Sequence, residues 1–190
     1  LNRQPVAVKS SGEMQNIVYF DLETQKSAAE VGGWDKISEM RMSIGVTYST
    51  QTGKYTIYSE QRVHDLVKEL QRADLVVGFN ILRFDYDVLH GYTTLDMRQL
   101  PTLDLLVSLT EVTQRKLPLD AYASATLGVE KIADGMQALQ WYKEGRLVEI
   151  AEYCCYDVKL TRLLHEYGRQ HKKVFYNTRF GDKVEVPVNW

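Results

Sequence analysis

Ten consecutive residues, Met40 to Ser49, fall into two interleaved sets. Met40, Met42, Ile44, Val46 and Tyr48 alternate with Arg41, Ser43, Gly45, Thr47 and Ser49. A helix would scatter the apolar set around its axis, whereas an extended strand gathers it on one face. The chain therefore has to build a sheet, and this strand is expected to bury one face only. Upstream, Ile17-Val18-Tyr19-Phe20 is a short apolar run suited to a central strand. Downstream, Gln51-Thr52-Gly53-Lys54 is turn material and Tyr55-Thr56-Ile57-Tyr58 supplies a partner, so the first three strands read as an antiparallel meander. Residues 25–38 contain Gly32-Gly33-Trp34 and no sustained period, and read as a loop.

The period then changes. Val63, Leu66, Val67 and Leu70 stand at helical spacing, and Leu75-Val76-Val77 reads as a buried strand. A helix is expected over Tyr86 to His90 and a short strand around Leu103-Asp104-Leu105. Further helices are expected over Asp120 to Leu127, Met136 to Glu144 and Arg146 to about Gln170. Residues 174–190 alternate on both sides of Gly181-Asp182, the pattern of a terminal hairpin. A meander followed by alternating helices and strands predicts an α/β fold, with a mixed sheet flanked by helices. With 190 residues, 44% of them hydrophobic, the chain is long enough to bury about 70% of its unfolded surface around one core. One domain over 1–190 is expected, with 1–15 as a lead-in.

Charge and cysteine content narrow the classes of function. A net charge of −2 removes any wholesale attraction to nucleic acid, so such binding would need a local patch. The two cysteines, Cys154 and Cys155, are neighbours whose side chains diverge on a helix. That argues against a disulfide or zinc framework and favours a reducing cytoplasm. No apolar run approaches the ~18 residues that span a bilayer, so no membrane association is expected.

Three acidic motifs carry the chemistry. Asp21-Leu22-Glu23 follows the first apolar run, and residues two apart on a strand face the same way. Asn80-Ile81-Leu82-Arg83-Phe84-Asp85 follows the second buried strand, where Asn80 suits a turn that opens a helix. Tyr153 and Asp157 lie four apart in the longest helix, one turn from each other on one face. Each motif alone has an ordinary explanation as a solvated strand end, a turn or a surface pair.

Together, and in this order, the motifs resemble those of the DEDD superfamily of 3′→5′ exonucleases, in the subgroup whose third motif carries Tyr. The resemblance runs from Ile17 to Leu164. It implies a ribonuclease H-like fold: a five-stranded mixed sheet, made of an antiparallel meander plus two parallel strands, flanked by helices and followed by the C-terminal β-hairpin. It further implies that Asp21, Glu23, Asp85, Tyr153 and Asp157 are catalytic. Asp21, Glu23 and Asp157 would hold one divalent cation, Asp21 would be shared with a second, and Asp85 would act on the second through water. Hard oxygen ligands without His or Cys suit Mg²⁺ or Mn²⁺, and two such ions ~3.5–4 Å apart can clamp an in-line displacement at phosphorus. Tyr153 would orient the attacking water. Thr24, Asn80, Phe84 and Trp34 are the expected substrate contacts, and Arg83, Arg115 and Lys116 are candidates for phosphate.

A softer resemblance, to ribonuclease H-like domains attached to or encoded beside helicases, rests on Glu30-Val31-Gly32-Gly33-Trp34 and on Val186-Pro187-Val188-Asn189-Trp190. It implies a unit excised from, or working beside, a larger helicase. The expected partner is nucleic acid with a 3′ end, single-stranded DNA or RNA. The rival reading is an end-binding or helicase-accessory domain with little turnover, and a further rival is an endonuclease or RNA-hybrid hydrolase on the same fold. A dinucleotide binder is disfavoured, because no G-x-G-x-x-G follows the first strand. Arg169, Lys172 and Lys173 are accounted for by the helix dipole. His64, His90, His165 and His171 show no metal-ligand spacing.

Overall fold

A computed structural model describes residues 15–129 and 135–190; most of the expected lead-in, 1–14, lies outside the described residues. The chain begins with β1 (Ile17–Thr24), α1 (Ala28–Val31), β2 (Met42–Ser49), β3 (Lys54–Ser59), α2 (Val63–Arg72), β4 (Leu75–Gly78) and α3 (Asp85–Leu89). It continues with β5 (Thr102–Asp104), α4 (Leu105–Thr113), α5 (Leu119–Leu127), α6 (Gly135–Lys143), α7 (Leu147–His171), β6 (Lys173–Asn177) and β7 (Lys183–Pro187). Five strands form one sheet in the order β3-β2-β1-β4-β5. The β1, β2 and β3 pairings are antiparallel, and β1–β4 and β4–β5 are parallel. β6 and β7 pair as the expected hairpin. Among the described residues no helix is long and apolar enough to cross a membrane.

β1 lies at the centre because its residues are apolar on both faces. Ile17 and Tyr19 join one core layer with Val77, Leu105, Ile150 and Val158, beneath α4, α5 and α7. Val18, Phe20 and Leu22 join the other, with Leu66, Leu70 and Tyr86 beneath α2 and α3. On α2 the buried residues are the four anticipated from spacing, Val63, Leu66, Val67 and Leu70. Burying each such side chain contributes about 1.5–3 kcal/mol.

Three local expectations are corrected. β2 is covered on both faces, because the small residues opposite the apolar set let α2 approach closely. A Cβ on Gly45 would lie 2.8 Å from Leu66 Cδ2, and the Thr47 hydroxyl donates to Glu69 of α2 at 2.6 Å. A register shift at Glu23/Thr24 also moves Met42 into the α2 layer. The second correction falls in residues 25–38, which hold α1 and a 3₁₀ turn over Trp34–Glu39 rather than a plain loop. Ser27 and Glu30 close α1 with a reciprocal capping box, and Gly32 ends it in the left-handed region at φ 91°. Third, the strand expected around Leu103–Leu105 stops at Asp104, whose side chain caps α4 from there on.

Candidate active site

The C-terminal half of β1 and the middle of α7 bring the acids together. Asp21 and Glu23 extend the Ile17/Tyr19 face of β1 beyond the core, toward α7. On α7, Ile150, Cys154, Val158 and Thr161 form the buried stripe, which leaves Tyr153 and Asp157 on its flank. Carboxylate oxygens of Asp21, Glu23 and Asp157 all lie within 4.8 Å of one another. Asp85, at the start of α3, stands beside this trio and is buried. Its Oδ1 accepts the Leu22 N–H at 3.0 Å, which ties the second motif to the backbone between the two acids of the first.

The acids raise one another's proton affinity. Burial and then the charges of Asp85, Glu23 and Asp157 push the Asp21 carboxyl well above the usual range. Glu23 is pushed up in the same way, by burial and by the charges of Asp157 and Asp85. Burial raises Asp85 to about 8, against the lowering effect of the Leu22 N–H. Tyr153 is raised by burial and by the charges of Asp157, Glu23 and Asp21, and is hydrogen-bonded to Asp157. Its phenol is therefore a neutral donor at ordinary pH.

Two residues that the sequence reading left unassigned complete the frame. The Cys154 thiol donates to Asp21 Oδ2 at 3.3 Å, and burial together with the Asp21 charge keeps that thiol protonated. Asp104 accepts four backbone N–H groups: Asn80 at 2.8 Å, Leu82 at 3.0 Å, Leu106 at 3.0 Å and Val107 at 3.4 Å. It thereby caps α4 and holds the turn that opens the second motif. Asn80 in that turn is left-handed at φ 68°, a conformation that Asn tolerates better than most residues. The Asp104 capping position, Asp directly before an apolar run, was the signal available in the sequence.

Two clefts flank the acids. One, of about 730 Å³, is lined by Glu23, Thr24, Trp34, Met40, Phe84 and Met136 among others. Trp34 is 70% exposed and meets the Phe84 ring edge-on at 6.4 Å; Phe84 is only half-buried, on the margin of the α2 layer. The other cleft, of about 530 Å³, is lined by Phe79, Asn80, Lys116, Asp120, Tyr153 and Asp157. Thr24, Trp34 and Phe84 thus share the cleft on the Glu23 side, and Asn80 lies across from them with Tyr153. Lys116 reaches the second cleft, whereas Arg83 and Arg115 line neither.

A sequence profile described as the RNase H superfamily matches residues 18–169. No curated protein matches the chain. Among solved structures, 127 chains match. One is the family B DNA polymerase from the hyperthermophilic archaeon Pyrobaculum calidifontis, at a TM-score of 0.61 and 13% identity over 83% of this chain and 25% of that one. The chain spans about a quarter of the polymerase's length, and at this identity the likeness is one of fold.

Proposed function

The chain belongs to the RNase H superfamily, and from that premise we propose that it is a metal-dependent 3′→5′ exonuclease of the DEDD type with Tyr in its third motif. It would release nucleoside 5′-monophosphates from single-stranded nucleic acid. The observation that carries this reading is the convergence of Asp21, Glu23 and Asp157 within 4.8 Å. Three carboxylates so close repel one another, and burial followed by that mutual repulsion raises the proton affinities of Asp21 and Glu23. Their all-oxygen donor set fits Mg²⁺ or Mn²⁺. Asp21, Glu23 and Asp157 would hold one cation, and Asp21, with Asp85 acting through water, a second. When bound, the ions supply Lewis-acid stabilisation of charge at the scissile phosphate.

The remaining work falls to the protein. Tyr153, neutral and hydrogen-bonded to Asp157, presents its hydroxyl to orient the attacking water. Cys154 donates to one Asp21 oxygen and so holds that carboxylate in place. Phe84 and Trp34 offer ring surface for the terminal base, with Thr24 beside them, while Asn80 and Lys116 border the opposite cleft, where the strand would leave. The reading takes residues 1–190 as one nuclease unit that works within, or beside, a larger helicase. Two free cysteines suit a cytoplasmic setting.

Incubation with 5′-labelled single-stranded DNA and RNA, in Mg²⁺, Mn²⁺ or chelator, tests the proposal. Stepwise shortening from the 3′ end that needs a cation is expected. Asp157→Ala should abolish it, and Tyr153→Phe should slow it by up to about 100-fold. Internal fragments would support an endonuclease instead, and binding without products would support the end-binding alternative.

A further inference from the structure

With a net charge of −2, the chain holds a long polyanion only through a local cationic surface. Residues 169–185 carry five Lys or Arg side chains against two acids. Three of the five, Lys173, Arg179 and Lys183, lie in the hairpin, where Val174, Tyr176 and Val186 are buried and the opposite face carries Lys173, Phe175, Asn177, Lys183 and Glu185. The Lys183 ammonium lies 4.5 Å from the centre of the Phe175 ring and that of Lys173 lies 5.8 Å away. At the tip, the Arg179 guanidinium lies 4.7 Å from the centre of the Phe180 ring, and Phe180 is 79% exposed. Glu185 engages Lys173 at 2.7 Å, but among the described residues no carboxylate forms an ion pair with Lys183 or Arg179.

The hairpin is held firmly. The Thr126 hydroxyl accepts the Phe175 N–H at 2.8 Å and donates to the Phe175 carbonyl at 3.2 Å. The Val188 N–H donates to the Lys172 carbonyl at 3.0 Å. α5 joins this surface to the acidic site, since Asp120 near its start borders the Tyr153 cleft and Thr126 near its end grips Phe175. The helix rises roughly 10 Å between those two residues, about three nucleotides at ~3.4 Å each along a stacked strand.

We propose that the outward face of the β6–β7 hairpin is a second binding surface, for the single-stranded nucleic acid upstream of the end being hydrolysed. Exposed rings beside unneutralised cations are the combination that stacks bases and meets phosphates without regard to sequence. The inference rests on the 3′-end nuclease reading. It is tested with the double variant Phe180→Ser/Lys183→Glu, whose altered side chains are both exposed and whose thermal midpoint should match wild type. In chelator, its affinity for a labelled twelve-nucleotide strand should fall about tenfold, with a shallower salt dependence. In Mn²⁺, turnover of a dinucleotide, which is too short to reach the hairpin, should not change. Unchanged affinity for the twelve-mer would overturn the proposal, and so would an equal loss on both substrates. Release of a protein partner by the double variant, with oligonucleotide affinity intact, would also overturn it. If wild type hydrolyses nothing while twelve-mer binding still depends on the hairpin, the nuclease reading fails and this surface stands.

Discussion

Of the four motif carboxylates, Asp85 is the one most removed from water, at 2% exposure, and its titration has consequences for folding. In the unfolded chain it loses its proton near the ordinary 3.8, whereas in the folded protein it keeps that proton to about 8. Between those values the folded state binds more protons, so its contribution to stability is present at low pH and is lost as pH rises through about 8. Compared with Asp85→Asn in chelator, wild type should therefore lose urea resistance as pH is raised from 5 to 9. A stability difference between the two that stays constant with pH would contradict this. Asp85 was legible in the sequence because Asn80, Phe84 and Asp85 sit at fixed spacing around a strand-to-helix turn. Cys154 was not, and Asp104 was legible only as a helix cap, not in its hold on the Asn80 turn. Asp104 acts on backbone N–H groups of two separate segments, and Cys154 acts through one thiol contact, and neither function imposes a spacing.

At the scale of elements, period carried most of the reading. Helical spacing marked α2, alternation marked β2 and the hairpin, and the long pattern from Arg146 marked α7. It failed where an element is short or begins without a break. The apolar run Leu103–Val107 changes from strand to helix at Asp104, and periodicity cannot separate two elements that share one run. α1 has only four residues, and its capping box was the sole local sign of it. The docking of the closing segment was also hidden, because it depends on a close approach between distant parts of the chain. A Cβ on Gly168 of α7 would lie 2.3 Å from Trp190 Nε1 and 3.1 Å from Val188 Cγ2. Gly168→Ala should therefore destabilise the protein by up to about 2 kcal/mol. Overpacking costs about 1–3 kcal/mol, against the ~1 kcal/mol that Ala gains over Gly within a helix. Urea unfolding followed by tryptophan fluorescence reads both the stability and the environment of Trp190. A stabilised variant with unchanged emission would show that the tail swings aside freely.

For the molecule as a whole, the sheet order decides what can meet. β1 lies between an antiparallel and a parallel neighbour, so its C-terminal end opens where the β4–α3 turn and α7 converge. Motifs about 60 and 130 residues beyond Asp21 in sequence are thereby gathered around one locus. That gathering is what the ordered trio of motifs anticipated, and it concentrates negative charge at one end of β1. The most direct measurement is a calorimetric titration of Mn²⁺ into the protein and into Asp21→Asn, repeated in buffers of different ionisation heat so that proton release is read with binding. The account predicts two ions bound by wild type, with protons released, and loss of tight binding in the variant. Absence of binding to wild type, or equal binding to both proteins, would contradict it.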